Sequence, residues 1–343
     1  MRIGITYDLK AEGPGNIAAQ GGGLADDLQE EFDSPATIEA IAAALRDLGH
    51  DVVKLGDGRE LLERLLAQPP DLVFNIAEGQ GVGRAREARV PAVLEMLGIP
   101  YTGSDPLTLA VTLDKDCAKR LAASAGVAVP RGIVIGPPLQ IDNLPVAGCH
   151  LQFPVIVKPA WEGSSKGIRG TSVVERAADL DSAIRSLWHD HRQPVLVEEF
   201  IDGDELTVGV LGSDRPHVLG VMRVLPRQPT ERFIYSLEVK RDFERQIRYE
   251  CPARLSPTAT EAVHGAALAV YGVLGCRDVS RVDFRLRGDV PYFLEVNPLP
   301  GLNPTSGDLV IMARLCGWSY PRLIQAILQA ALARGQRSEV RSQ

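Results

Sequence analysis

The run VPYFLEVNPLPGLNP, residues 290–304, sets an acid and an amide two positions apart at the end of an apolar stretch. Side chains two apart on a strand share a face. Glu295 and Asn297 are therefore expected to point one way, and Leu294 and Val296 the other way, into a core. Pro298, Pro300 and Gly301 then end the strand and turn the chain. A carboxylate and an amide oxygen at a strand end suit a hard divalent cation; the alternative is a solvated strand edge. The segment CRDVSRVDFRLRG, residues 276–288, shifts the balance. It too alternates, with Val282 and Phe284 on one face and Arg281 and Asp283 on the other. A short turn containing Gly288 and Asp289 leads into the next strand, which is a hairpin signal. Pairing the strands would bring Asp283 beside Glu295 and Asn297. Three oxygen donors with an adjacent Arg281 favour Mg2+ bridging phosphate oxygens, with the arginine neutralising further charge.

Two other stretches carry phosphate-like chemistry. Lys158 ends the apolar strand VIVKP, and the following EGSSKG offers backbone N–H groups, the hydroxyls of Ser164 and Ser165, and Lys166. Such a loop can close over phosphates, or it can be an exposed hairpin tip. EEFIDGDE, residues 198–205, sets acids around a hinge. It suits backbone hydrogen bonds to an adenine and a carboxylate on a ribose, or simply an acidic surface turn.

These residues need elements to hold them. Residues 1–104 alternate between strand and helix: RIGITY, a helix at SPATIEAIAAALRDLG capped by Ser34 with Pro35 first, HDVVKL, a helix near 59–67, DLVFNIA, a helix near 85–97, and IPYTG. That rhythm implies a doubly wound parallel sheet. Residues 10–33 interrupt it with an acidic, glycine-rich insertion, either a disordered loop or part of a site at the strand ends. Gly21, Gly22 and Gly23 lack the strand-to-helix context of a phosphate-binding motif. A helix is expected over 105–125, from Asp105-Pro106 to Gly126. The strand GIVI, a linker or loop at 136–148, a hairpin at 153–174, a strand–hinge–strand at 194–212, a helix at 258–275 and helix over 305–334 complete the order.

The chain has 343 residues and a net charge of −7, with 45% hydrophobic and 24% charged residues. That length suggests two or three domains, and the composition is ordinary for a globular protein. No global basic character points to nucleic acid. GRAREAR, residues 83–89, reads as a solvated helical face, and His189 with His191 as a surface pair. No apolar run approaches the roughly 20 residues of a membrane span, and MRIGITYD lacks the features of a signal peptide, so the cytoplasm is expected. Five scattered cysteines without a CxxC pair argue against a disulfide framework or a zinc site.

Taken in order, LDK (113–115), VKP with EGSSKG, VEEFIDGDELTV, RVDF and FLEVNPLPGLNP resemble the ATP-grasp superfamily, and within it the D-alanine–D-alanine ligase family. The resemblance covers most of the chain from about residue 90 and, more loosely, the N-terminal sheet. It implies an N-terminal α/β domain (1–104), a small central domain (105–192) and a C-terminal α+β domain with a mostly antiparallel sheet (193–343), with ATP between the last two. By the same resemblance Lys115 and Lys158 contact ATP phosphates. Glu198 with the backbone of Glu199, Phe200 and Ile201 holds adenine, and Glu205 the ribose. Ser164 and Ser165 belong to the phosphate-covering loop, and Lys240 reaches the γ-phosphate from a mobile loop. Asp283, Glu295 and Asn297 ligate two Mg2+ ions, for which Mn2+ could substitute. Arg281 and the N–H of Gly301 stabilise an oxyanion, and Ser306 binds the carboxylate of the acceptor.

The implied reaction is attack of a carboxylate on the ATP γ-phosphate, then attack of an amine on the acyl phosphate. The implied partners are small amino-acid or peptide substrates, and a homodimer is expected. The sequence departs from the family in the amino-acid half. Glu30 or Glu31 matches only loosely the glutamate that holds the first D-alanine's amine. Glu78 stands where histidine is usual, GRAREAR replaces an acidic glycine-rich segment, and Arg241 replaces a tyrosine. These changes point to an altered amino-acid specificity. A nucleotide-binding regulator is disfavoured by the complete Arg281, Asp283, Glu295 and Asn297 set, and a phosphoryl transferase would need no amine.

Overall fold

Short apolar strands build three sheets in the computed structural model, which describes residues 1–10, 26–136 and 151–341. The glycines at 21–23, the rest of 11–25, and most of the 136–148 linker lie outside the described residues.

The first sheet is parallel, in the order β2 (Asp51–Gly56), β1 (Arg2–Thr6), β3 (Leu72–Asn75). Parallel neighbours need crossovers, supplied here by α1 (Pro35–Asp47) and α2 (Gly58–Ala67). The Ser34 hydroxyl accepts from the Thr37 N–H at 3.1 Å and so starts α1 as expected. Ile38, Ile41 and Leu45 then bury one helix face, each contributing about 1.5–3 kcal/mol. The same core continues through α10 (Asp308–Leu315) and α11 (Tyr320–Arg341), so the C-terminal helices close over the N-terminal sheet. Tyr101 adds only an isolated bridge to Val73. GRAREAR precedes α3 (Arg89–Met96) rather than forming its solvated face, and Arg86 is among the most buried side chains.

The helix expected over 105–125 is two helices, α4 (Pro106–Leu113) and α5 (Lys115–Ser124). Asp114 breaks it, because its carboxylate accepts from the N–H groups of Asp116 and Cys117 and caps a new helix. That break puts Lys115 at a helix start, facing inward.

The second sheet is antiparallel, in the order β4 (Gly132–Ile135), β7 (Val195–Glu199), β5 (Val155–Pro159), β6 (Val173–Val174), backed by α6 (Ala177–His191). Because β7 pairs with β4 and β5, this sheet runs past the expected boundary at 192 to Glu199. His189 is exposed, but His191 is buried against Gly167 and is not part of a surface pair.

The third sheet is antiparallel in the order β10 (Ile247–Glu250), β9 (His217–Pro226), β8 (Asp204–Leu211), β11 (Val279–Arg287), β12 (Val290–Asn297). One face packs on α9 (Pro257–Val273) through Val263, Ala267, Phe284 and Phe293. The other face packs in part on α10, through Met222 with Ile311 and Met312, and carries polar groups beside that contact. The short helix α7 (Leu237–Arg241) lies at its open side.

Candidate active site

The β11–β12 hairpin pairs Asp283 with Glu295 and Arg281 with Asn297, as the alternation requires. A bulge between Asp283 and Phe284 skips one residue of β12. Leu294 therefore does not enter the core as expected; it lines a cleft on the same side as Glu295, because an unpaired bulge residue escapes strict alternation.

The polar face is held by charge. Arg281 pairs with Asp283 at 2.9 Å and with Asp308 at 3.5 Å, and Lys115 pairs with Glu295 at 2.6 Å. The Thr207 hydroxyl and the Asn297 amide also donate to Asp283, at 3.0 and 3.3 Å. Burial works to raise Glu295, but Lys115 outweighs it and holds the carboxyl below the ordinary range. Burial and the neighbouring Glu295 raise Asp283, against the pull of Arg281. Two carboxylates and an amide oxygen on one face make a hard-oxygen donor set that fits Mg2+.

Two clefts meet at this face. The first lies between the second and third sheets and is lined by Lys158, Ser165, Glu198, Glu199, Phe200, Ile201, Glu205, Lys240, Asp283 and Leu294. The Glu198 carboxylate binds Lys158 at 2.6 Å and also Lys119. Burial works to raise Glu198, but the two lysines bring it below its ordinary value, while burial lowers Lys119 to about 7. The N–H groups of Glu199 and Phe200 donate to the Arg131 and Pro154 carbonyls, whereas that of Ile201 has no acceptor among the described residues. Glu205 accepts from Arg285 at 2.9 Å, and that guanidinium lies over the Phe200 ring at 4.8 Å. Lys240 sits over the Tyr235 ring at 5.1 Å.

The second, narrow cleft lies under the N-terminal sheet and is lined by Glu31, Glu78, Glu87, Lys115, Glu162, Ser164, Asn297 and Gly301. Arg281 and Glu295 belong to both clefts. The loop between β5 and β6 divides them: Ser164 faces the second and Ser165 the first. Both serines have left-handed backbones, φ +49° and +60°, which the surrounding contacts must hold. The Ser165 hydroxyl donates to the Tyr235 carbonyl at 2.9 Å. At Gly163 a Cβ would stand 2.7 Å from Glu31 Oε1, so a side chain there would push the Glu31 carboxylate from its present contacts.

Behind the second cleft lies a buried ion cluster. Glu31 accepts from Arg86 at 2.6 Å, from Lys166 at 3.1 Å and from the Gly163 N–H at 2.7 Å. Glu162 pairs with Lys166 at 2.5 Å and with Arg86 at 3.3 Å, and accepts from the Gln193 amide at 2.7 Å. Burial works to raise Glu31, but the Arg86 and Lys166 charges hold it at about 2. Glu31 is thus tied to the loop through Gly163 and Lys166. Lys166 faces these acids, and Lys115 faces the second cleft, where it also donates to the Glu162 carbonyl.

Arg241, half-exposed, holds Asp26 at 2.6 Å and Glu30 at 2.9 Å. Ser306 is exposed, with its N–H on Asn303 at 3.1 Å. Sequence reading passed over Lys119, Glu162, Glu87 and Asp308. Lys119 lies one turn after Lys115, a spacing that marks a shared helix face. Glu87 was hidden in a charged run that looks solvated, although the resemblance had placed its neighbour Arg86 near the amino-acid pocket. Asp308, which accepts from the Tyr235 and Tyr249 hydroxyls at 3.0 and 3.2 Å, had no signal in its neighbours.

The family model described as the D-Ala D-Ala ligase C-terminus matches residues 142–329, more than half of the chain. A D-alanine–D-alanine ligase of Gluconobacter oxydans is 36% identical over 301 residues, 86% of this chain and 93% of that protein. The uncharacterized protein y4sG of Sinorhizobium fredii is 34% identical over 302 residues, 85% of this chain and 86% of that protein. Among solved structures, the D-alanine–D-alanine ligase of Bacillus anthracis complexed with ATP superposes with a TM-score of 0.72 at 24% identity, covering 99% of each chain. The fold is that of the ATP-grasp ligases.

Proposed function

The chain belongs to the D-alanine–D-alanine ligase family, and from that premise we propose that it joins two small amino acids, at least one of them D-alanine or a close analogue, through a peptide bond. It is an ATP-dependent ligase of the C–N bond-forming class. The observation that carries the site assignment is that the two clefts share Arg281 and Glu295. A phosphate in the first and a carboxylate in the second would meet there, which suits transfer of the phosphoryl group onto the carboxylate.

In this reading Lys158 and Lys240 bind the phosphates, with Lys119 supporting Glu198 behind them. Glu199, Phe200 and the free N–H of Ile201 receive the base, and Glu205 the ribose. Asp283, Glu295 and Asn297 hold Mg2+, which when bound offsets charge on the transferring phosphoryl group. Lys115 and Arg281 then exchange their carboxylate partners for substrate oxygens. Arg281 and the Gly301 N–H stabilise the oxyanion formed as the amine attacks, and Ser306 receives the carboxylate of the acceptor. Ser164 and Ser165 cover the seam and keep water from the acyl phosphate. The test is ADP release with ATP, Mg2+ and D- or L-amino acids, singly and in pairs, with mass spectrometry of the product. An amide product that requires an amine supports the reading. ADP release with no amine requirement, or none with any pair, overturns it.

A further inference from the structure

The charges around the second cleft do not all have partners. Glu31 and Glu162 are matched by Arg86 and Lys166, and Glu295 by Lys115. Glu78 and Glu87 also line the cleft; Arg86 attracts both and Lys115 attracts Glu87, but neither side chain has a direct hydrogen bond or ion pair among the described residues. Glu87 is 93% buried by its 7% exposure, and Glu78 is partly buried beside it. An unpartnered carboxylate in such a place is costly unless it is protonated or meets a cation. Burial pushes Glu87 up to about 8 against the pull of Arg86 and Lys115, and burial together with Glu87 and Glu31 raises Glu78 well above the carboxylate range against Arg86, so the environment favours the neutral form of both until a cation arrives.

Glu31, the acid that the family pattern would assign to the first substrate's amine, is already saturated by Arg86, Lys166 and the Gly163 N–H. The free acids are Glu78 and Glu87, and there are two of them. A monoamino acid brings one ammonium and ionises one of them, leaving the other in its neutral form and its place in the cleft without a charged contact. A diamino acid matches both, while its own carboxylate goes to the seam at Lys115 and Arg281. Resting on the ligase reading, we propose that Glu78 and Glu87 form a two-carboxylate cation subsite that selects a substrate carrying a second amine, a diamino acid.

The test uses the full chain with ATP and Mg2+. The amino-acid panel is D- and L-2,3-diaminopropionate, ornithine and lysine, against D-alanine, D-serine and D-glutamate, each alone and paired with D-alanine. The expected result is a kcat/KM at least 10-fold higher for one diamino acid than for the neutral ones, with D-glutamate poorest. Glu87→Gln, which keeps shape and removes charge, should lower that value by more than it lowers the value for D-alanine, and Glu78→Gln likewise. Calorimetry in buffers of different ionisation enthalpy should show proton release when the diamino acid binds, since both acids must ionise. Neutral amino acids equal to diamino acids in the wild-type enzyme, or binding without proton release, overturn the subsite while ligase turnover still stands. The absence of turnover with every pair instead overturns the ligase reading. If either variant fails to fold, the wild-type panel and the proton count still decide.

Discussion

Arg86→Met tests whether the buried ion cluster holds the N-terminal sheet to the loop between β5 and β6. Arg86 is 2% exposed and serves Glu31, Glu162 and the Trp161 carbonyl, all within 3.3 Å. Keeping the Glu31 carboxyl at about 2 rather than 4.5 corresponds to about 3 kcal/mol of net attraction to its cations. Removing one partner of a buried pair typically costs about 3–5 kcal/mol, because the remaining charges lose their compensation. The expected loss at neutral pH is therefore in that range, with Lys166 retaining part of the attraction. The pH dependence has a definite sign. Glu31 is depressed in the folded state, so its contribution is complete above 4.5 and is lost as pH falls towards 2. In the variant that acid-side loss should be smaller: it still begins near 4.5 as pH falls but is complete at a higher pH, because the folded-state value moves up from about 2. Urea unfolding followed by tryptophan fluorescence at several pH values, Trp161 being adjacent, measures both effects. Arg86→Lys should fall between, keeping the charge but losing the planar fork. A cost below about 1 kcal/mol for Arg86→Met, with an unchanged acid limb, would refute the reasoning.

Asp283→Ala and Glu295→Ala should each abolish ADP release while circular dichroism stays that of the wild type, since both side chains lie at the clefts and not in the core; full turnover in either removes them from the metal site. Lys158→Ala should weaken ATP by about 1.5–3 kcal/mol more than adenosine, read by calorimetry, because a lysine senses phosphate charge; equal losses place it elsewhere. Glu87→Gln should flatten the fall in ligand-free stability between about pH 4.5 and 8, since a carboxyl raised on folding stabilises below its unfolded value and loses that contribution as pH rises through its folded one; an unchanged profile in thermal melts contradicts it. Arg241→Tyr should cost under about 1 kcal/mol of stability, its ion pairs to Asp26 and Glu30 being largely solvent-screened, and a larger loss in urea would show that they are not.

The parts of the site that were legible in the sequence depend on backbone period. Arg281, Asp283, Glu295 and Asn297 were placed on one face because a strand repeats every two residues, and the hairpin register agrees. Leu294 escaped that logic because a bulge depends on hydrogen bonding across two strands, which one strand's pattern does not encode. Asp114 was read as helix interior because its apolar and charged neighbours continue on both sides; its capping hydrogen bonds decide otherwise. The resemblance placed Arg86 near the amino-acid pocket, but the composition of its run, read as a solvated face, did not show its burial or that of Glu87. A charged run has the same composition whether water or other charges solvate it, and the acids that solvate Arg86 lie 55 and 76 positions away, at Glu31 and Glu162. The parallel and antiparallel sheets were legible because connection length and helix spacing set them locally.

The wall common to the two clefts has a thermodynamic consequence. Arg281 and Glu295 face both chambers, and Lys115 reaches Glu295 from the second. A charge that settles in either chamber changes the field on these groups, and so changes the affinity of the other. Such coupling is reciprocal by linkage: whatever factor the nucleotide contributes to amino-acid affinity, the amino acid returns to the nucleotide. The order in which the substrates arrive can then alter rates of assembly, but not the stability of the assembled complex.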